Sequence, residues 1–186
     1  MLRTIPNQIT VARIASVPLL MFFILWDTRM GQIAAIVLFC LAAASDAVDG
    51  YLARSFKQTT LFGKFADPIA DKLLVVGALV SFIQLGELAA APVMAIIARE
   101  FLVTGLRILA MAEGMVIGAS LLGKLKTISQ IALVFSILAG RYFAFGRPGH
   151  LATDVLLYVA VALSLFSAGV YYYQARALFT RRPSPL

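Results

Sequence analysis

The sequence predicts an all-α integral membrane protein with six transmembrane helices, both termini cytoplasmic, and room for a short amphipathic N-terminal segment. Three observations carry this. Hydrophobic residues make up 61% of the 186 residues and charged residues 13%, against about 45–50% and about 25% in soluble domains; mean hydropathy is +0.92. Apolar runs of membrane-crossing length, about 20 residues each, recur along the whole chain. Lys and Arg collect on one side of the alternation those runs impose.

The spans fall at about 5–26, 31–54, 67–86, 91–112, 121–140 and 152–175, by apolar length and the breaks between them. The first holds the run Ile14 to Trp26 with no small-residue cleavage site after it, so it reads as a retained helix, not a removed signal. Asp27-Thr-Arg-Met-Gly31 separates it from the second, and Ser55 to Gly63 separates the second from the third. Pro68 suits the first turn of a helix, which puts the start of the third span between Gly63 and Asp67. Leu85-Gly-Glu-Leu88, Glu113-Gly114 through Gly123, and Gly140-Arg141 through Gly149-His150 are the later breaks, the last a loop with His150 in solvent. Tyr171 to Tyr173 read as an interfacial belt. No internal repeat divides the chain, so residues 1–186 read as one membrane domain, with a flexible tail over about 181–186.

With six spans, Arg3, Arg13, Arg54, Lys57, Lys64, Lys72, Arg107, Lys124, Lys126, Arg176, Arg181 and Arg182 fall on the side of the termini. Arg29, Arg141 and Arg147 fall opposite, and Arg99 lies mid-span. Twelve against three places the termini, and the connection between the second and third spans, in the cytoplasm. The net charge of +7 is scattered among apolar spans. That excludes a nucleic-acid face and favours anionic lipid and phosphate ligands. The single cysteine, Cys40, excludes a disulfide framework or a cysteine metal site and reads as a small buried hydrophobe.

Against this background four carboxylates stand out, Asp46 and Asp49 near the end of the second span, Asp67 and Asp71 at the start of the third. An ionisable group at membrane depth costs roughly 2.5–3.5 kcal/mol on insertion scales, so four of them need a cause. Spacings of three and four put each pair on one helix face, and a short connection makes the two spans an antiparallel pair. Four crowded carboxylates stay ionised only with compensation. Oxygen-only ligands point to hard cations, Mg²⁺ or Mn²⁺. Two such ions suit displacement at phosphorus. Gly50 and Ala53 let a bulky ligand approach the helix, and Arg54 offers a planar cation to a diphosphate. The competing readings are a buried ion-pair network and a divalent-cation transporter.

The full pattern is D-x2-D-G-x2-A-R-x8-G-x3-D-x3-D, satisfied by Asp46, Asp49, Gly50, Ala53, Arg54, Gly63, Asp67 and Asp71. Chance agreement is on the order of 10⁻¹⁰ per start site at average residue frequencies. It resembles the CDP-alcohol phosphatidyltransferase family, which moves a phosphatidyl or similar group from a CDP-linked donor to an alcohol and releases CMP. The resemblance implies a six-helix membrane fold, a homodimer, and a cavity open to cytoplasm and lipid. By position it makes Asp46, Asp49 and Asp67 metal ligands. Asp71 completes the metal site and is the catalytic base for the acceptor hydroxyl. Asp49, Gly50, Ala53, Arg54 and Gly63 become CDP-contacting residues. The run Pro6-Asn7-x2-Thr10-x2-Arg13 resembles the family's first helix and adds Asn7, Thr10 and Arg13 to the donor side. As alternatives, Asn7 caps the helix and Arg13 snorkels to headgroups.

For the acceptor, Glu100, Thr104 and Arg107 share a face of the fourth span at i, i+4 and i+7. Pairing of Arg99 or Arg107 with Glu100 is the structural alternative. Lys124 and Lys126 open the fifth span, with Lys126, Thr127 and Gln130 on one face. Arg107, Lys124 and Lys126, with Thr104, form a set suited to an anionic acceptor. Ala98-Arg-Glu100 … Leu106-Arg107 followed by Gly123-Lys-x-Lys126-Thr-x2-Gln130 resembles the bacterial branch of the family that transfers the phosphatidyl group of CDP-diacylglycerol to glycerol 3-phosphate, which implies a bacterial inner-membrane location. Phosphatidylglycerol or inositol phosphate as acceptor remains open at this stage.

Overall fold

Thr28 sets the start of the second helix. Its hydroxyl accepts from Gly31 N–H at 3.1 Å, a donor that the first turn leaves without an intrahelical partner, and its carbonyl accepts the first helical bond, from Gln32 N–H at 2.9 Å. The third helix ends on Gly86, whose φ of +76° is the left-handed geometry glycine tolerates. Gly86 N–H donates to Ile83 O at 3.0 Å and Glu87 N–H to Phe82 O at 2.9 Å, the paired bonds of a Schellman stop.

The computed structural model describes residues 5–56, 61–113, 118, 121–144 and 146–180, with side chains described except at 5–9, 46–56, 61–68, 71, 112, 146–150 and 177–180. Its elements are six α-helices: α1 (Ile5–Leu25), α2 (Arg29–Phe56), α3 (Leu61–Gln84), α4 (Ala90–Ala112), α5 (Leu121–Phe143) and α6 (Gly146–Thr180). All six expected helices are present, and their ends differ in informative places. α3 begins six residues before Asp67, so Pro68 lies inside it and not in its first turn. Pro68 has no N–H for the Lys64 carbonyl, and Pro18 inside α1 leaves the same deficit. α6 begins at Gly146, so the Gly140–His150 break shrinks and His150 is helical. Pro148 falls in the first turn of α6, where its missing N–H costs nothing, so it starts a helix where a loop was expected. The tail 181–186 lies outside the described residues.

The chain divides into two compact units, Met1–Ala89 with Val134–Ala152, and Ala90–Leu133 with Thr153–Leu186. In the first, α1 packs on both α2 and α3, which also touch each other. Val17, Leu20 and Ile24 of α1, Ala35, Phe39 and Ala42 of α2, and Leu74, Ala78 and Phe82 of α3 are buried at helical spacing. Small residues let backbones approach, as in membrane helix packing: a Cβ at Gly77 would stand 2.8 Å from Val17 Cγ1. At one end of this unit Arg141 donates to Asp27 Oδ1 at 2.8 Å and Glu87 Oε1 at 3.4 Å. Arg29 lies 5.4 Å from the Tyr142 ring centroid. These contacts draw the α1–α2 turn, the α3–α4 turn and the end of α5 together.

Gly31 gives the first prediction. A Cβ there would collide with the Trp26 carbonyl oxygen, a backbone atom that cannot rotate away. Gly31→Ala is expected to cost about 1–3 kcal/mol, as overpacking does, and to lower Tm by several degrees for a chain of this size. Thermal unfolding of the detergent-solubilised variant measures it; an unchanged Tm would mean that the turn yields freely.

In the second unit, Val93, Ile96, Val103 and Ala110 form the buried stripe of α4, with Leu133 of α5 and Leu157 and Ala160 of α6. Large apolar residues are exposed on both units, among them Phe22, Leu41, Leu102, Ile128, Phe166 and Tyr173. Water-soluble surfaces do not carry apolar residues so densely, whereas lipid solvates them. Cys40 belongs to this outward surface; it is exposed on α2, not buried. Among the described residues, Leu121–Phe143 and Leu151–Arg176 are long and apolar enough to cross a bilayer, and Thr10–Leu25, Arg29–Ser45 and Lys72–Gln84 are shorter apolar helical stretches.

Candidate active site

Helix α2 carries Asp46, Asp49, Gly50 and Ala53 at i, i+3, i+4 and i+7, one stripe along its C-terminal half, with Arg54 beside it. Helix α3 carries Gly63, Asp67 and Asp71 at successive i+4 steps in its first half. The side chains of all eight lie outside the described residues, as does that of Asn7. What the backbone adds is that both halves of the motif are helical and that their helices touch. Only residues 57–60 separate α2 from α3, a tighter connection than Ser55 to Phe62. Among the described residues no group of three or more His, Cys, Asp or Glu gathers. On α1, Thr10 and Arg13 are both buried, at 2% and 4% exposure, so Arg13 does not snorkel outward. Asn7 lies within α1 and not at a capping position before it.

The residues expected to serve an anionic acceptor separate in the second unit. Lys126 is buried and its ammonium donates to Glu100 Oε1 in a close ion pair. Thr104, one turn beyond Glu100, donates its hydroxyl back to the Glu100 carbonyl at 2.6 Å. Arg107 continues the stripe of α4 that holds Glu100, Val103 and Ala110, yet it is exposed where those three are buried. Arg107 is thus an exposed cation on an otherwise buried stripe. Lys124 is exposed beside Leu121, Leu125 and Ile128, on a different face of α5 from Lys126. Two residues apart on a helix means about 200° around it, so the two lysines cannot share a face.

Glu100 is the centre of a larger array. Arg99 Nη1 donates to Glu100 Oε1 at 3.1 Å, Nη2 to Ser167 Oγ at 2.8 Å, and Nε to the Ser164 carbonyl at 3.1 Å. Its guanidinium lies 5.7 Å from the Tyr171 ring centroid. Gln130 Nε2 donates to Glu100 Oε1 at 3.3 Å and to Ser164 Oγ at 3.4 Å. Ser164 and Ser167 escaped the reading of the sequence, although serines three apart in an apolar span, followed by Tyr171, make a polar stripe. Tyr171 is buried against Arg99, so the interfacial belt keeps only Tyr172 and Tyr173.

The profile of the CDP-alcohol phosphatidyltransferase family matches residues 3–166. The CDP-diacylglycerol–glycerol-3-phosphate 3-phosphatidyltransferase of Bacillus subtilis is 39% identical over 180 residues, covering 90% of this chain and 93% of its own. The enzyme of the same name from Rickettsia bellii is 31% identical, covering 94% and 97%. A cardiolipin synthase (CMP-forming) from rice is 34% identical over 91% of this chain and 56% of its own.

Proposed function

This chain belongs to the CDP-alcohol phosphatidyltransferase family, and we propose that it transfers the phosphatidyl group of CDP-diacylglycerol to glycerol 3-phosphate, giving phosphatidylglycerol phosphate and CMP. One observation carries the chemistry: all eight fixed positions of the family motif occur, and they fall on two touching helices. The acceptor rests on the bacterial relatives named for glycerol 3-phosphate, which align along nearly the whole chain, and on the cations of α4 and α5.

Asp46, Asp49, Asp67 and Asp71 form a donor set of carboxylates at i, i+3 and i, i+4. With neither sulfur nor imidazole among them, they fit two hard divalent cations, Mg²⁺ or Mn²⁺. Bound there, such ions would neutralise the diphosphate and steady charge on the attacking and leaving oxygens. Arg54 holds the diphosphate, Gly50, Ala53 and Gly63 leave it room, and Asn7, Thr10 and Arg13 serve the CDP side. The acceptor hydroxyl attacks the phosphorus bearing diacylglycerol and gives its proton to Asp71. The bond from that phosphorus to the CMP oxygen breaks, and CMP leaves with the electron pair. Of the residues expected to serve the acceptor's phosphate, Arg107, Lys124, Lys126 and Thr104, the exposed Arg107 is the one placed to take it directly.

In this reading the chain is one membrane domain crossing the inner membrane six times, with termini and active site cytoplasmic, and it works as a homodimer. The Lys and Arg bias supports that topology. So does Arg141, whose partners Asp27 and Glu87 belong to breaks assigned to the same side of the membrane.

Purified protein with CDP-diacylglycerol and Mg²⁺ or Mn²⁺ tests the reading by CMP release against glycerol 3-phosphate, phosphatidylglycerol, inositol phosphate and serine. Release with glycerol 3-phosphate, abolished by EDTA and restored by either ion, is expected. Release only with phosphatidylglycerol would move the protein to cardiolipin synthesis, in line with the rice relative. Ion uptake into vesicles without CDP-lipid consumption would overturn the enzyme altogether.

A further inference from the structure

We propose that Glu100 is a positioning residue for the acceptor site: it locks Lys126 in place as its counter-ion and leaves Arg107 as the cation that takes the acceptor's phosphate. This rests on the function proposed above and divides labour among cations that the sequence alone treats as equivalent.

The first support is geometric. Glu100 Oε1 accepts from donors on two helices: Arg99 on α4, and Lys126 and Gln130 on α5. Arg99 and Gln130 extend the array to Ser164 and Ser167 on α6. One carboxylate thus fixes three helices of the second unit against one another. A long flexible ammonium held in such an array has lost its rotamer freedom to a structural task.

Exposure points the same way. Lys126, Glu100 and Arg99 are 6%, 3% and 6% exposed, whereas Arg107, on the same stripe of α4, is open. Seven residues separate Glu100 from Arg107, about 10 Å along the helix axis. The lock therefore sits about two turns from the exposed guanidinium of Arg107. An exposed planar guanidinium suits bidentate contact with a phosphate. Lys124, on the outward face with Ile128, lies nearer the lipid-facing surface than the stripe of Arg107.

Charge makes the proposal testable. Arg99, Glu100 and Lys126 together carry one net positive charge. Glu100→Gln raises that by one, Lys126→Met lowers it by one, and the double variant restores it. The readouts are KM for glycerol 3-phosphate, KM for CDP-diacylglycerol, kcat, and the thermal shift that glycerol 3-phosphate produces without donor. A lock predicts that each single variant raises the acceptor KM about tenfold, equivalent to about 1.4 kcal/mol, leaves the donor KM unchanged, and that the double variant recovers most of the loss. Glu100→Asp keeps every charge and shortens the reach, so it produces a smaller rise in the same KM if the larger changes impair folding. Arg107→Ala raises that KM with no loss of thermal stability.

Two results would overturn the proposal. If Lys126 touches the phosphate, Glu100→Gln frees it and leaves the acceptor KM unchanged or lower, and the double variant stays as poor as Lys126→Met. If the array is only structural, all variants lose thermal stability while the acceptor KM stays constant. Failure of the activity reading is visible separately, as wild-type protein that is stabilised by glycerol 3-phosphate yet releases no CMP with it. Wild-type protein with no thermal shift and no turnover would sink both.

Discussion

Asp71→Asn is expected to leave the protein folded and able to bind CDP-diacylglycerol and metal, while CMP release falls about 10²–10⁴-fold, the range general-base catalysis supplies. Asn has the size of Asp and keeps one oxygen able to face a cation, but its amide cannot take a proton near neutral pH. Asp71 stands one turn beyond Asp67 on α3, so the change removes a base from the middle of a helix and disturbs no helix end. Because Asp71 is also proposed to complete the metal site, the variant is to be measured at saturating Mg²⁺ or Mn²⁺. A deficit that disappears at high metal would assign Asp71 to binding alone. Full turnover at ordinary metal concentration would remove it from the chemistry.

Arg99→Ala is expected to be the most destabilising single change among the described residues of the second unit. It strips one cation from Glu100, leaves the Ser164 carbonyl and Ser167 hydroxyl without this donor, and removes the guanidinium from Tyr171. Breaking a buried ion pair from one side costs about 3–5 kcal/mol, which corresponds to a fall in Tm on the order of 10 °C at this chain length. Arg99→Lys recovers only part of this, since an ammonium cannot span three acceptors in one plane. Arg176→Ala is the control. Arg176 is exposed and lies 4.0 Å from the Tyr173 ring centroid, and surface substitutions of this kind stay within about 0.5 kcal/mol. Unfolding curves in detergent or lipid nanodiscs separate the two; equal shifts would mean that the buried array adds no stability.

The existence and order of the six helices were legible because apolar length and glycine breaks are strong local signals. The starts of α3 and α6 were misplaced for one reason seen twice. Pro68 was read as a first-turn proline and lies inside its helix, while Pro148 was read as part of a loop and lies in a first turn. Proline restricts the backbone locally without saying on which side the helix continues. That the motif from Asp46 to Asp71 falls on the second and third helices was legible, because its two halves lie in neighbouring spans. The polar face shared by Glu100 and Arg107 was also legible from periodicity. That Glu100 is buried and Arg107 exposed was not, because burial depends on helices distant in sequence. The partners of Arg99 on α6 lie 65 and 68 residues away, and no local pattern couples such positions.

Helix α6 has a consequence for where the protein can reside. Its 35 residues extend over about 52 Å at the helical rise, and its apolar stretch Leu151–Arg176 alone covers about 39 Å. A bilayer's hydrocarbon core is only about 30 Å thick. In the membrane topology proposed above, the surplus is absorbed by tilt, by local thickening of the bilayer, or by turns standing among the headgroups. Since Ser164, Ser167 and Tyr171 anchor this helix to Arg99, it cannot adjust its tilt without moving α4. Acyl-chain length in the surrounding membrane thereby becomes a mechanical input to the helix that carries Arg107.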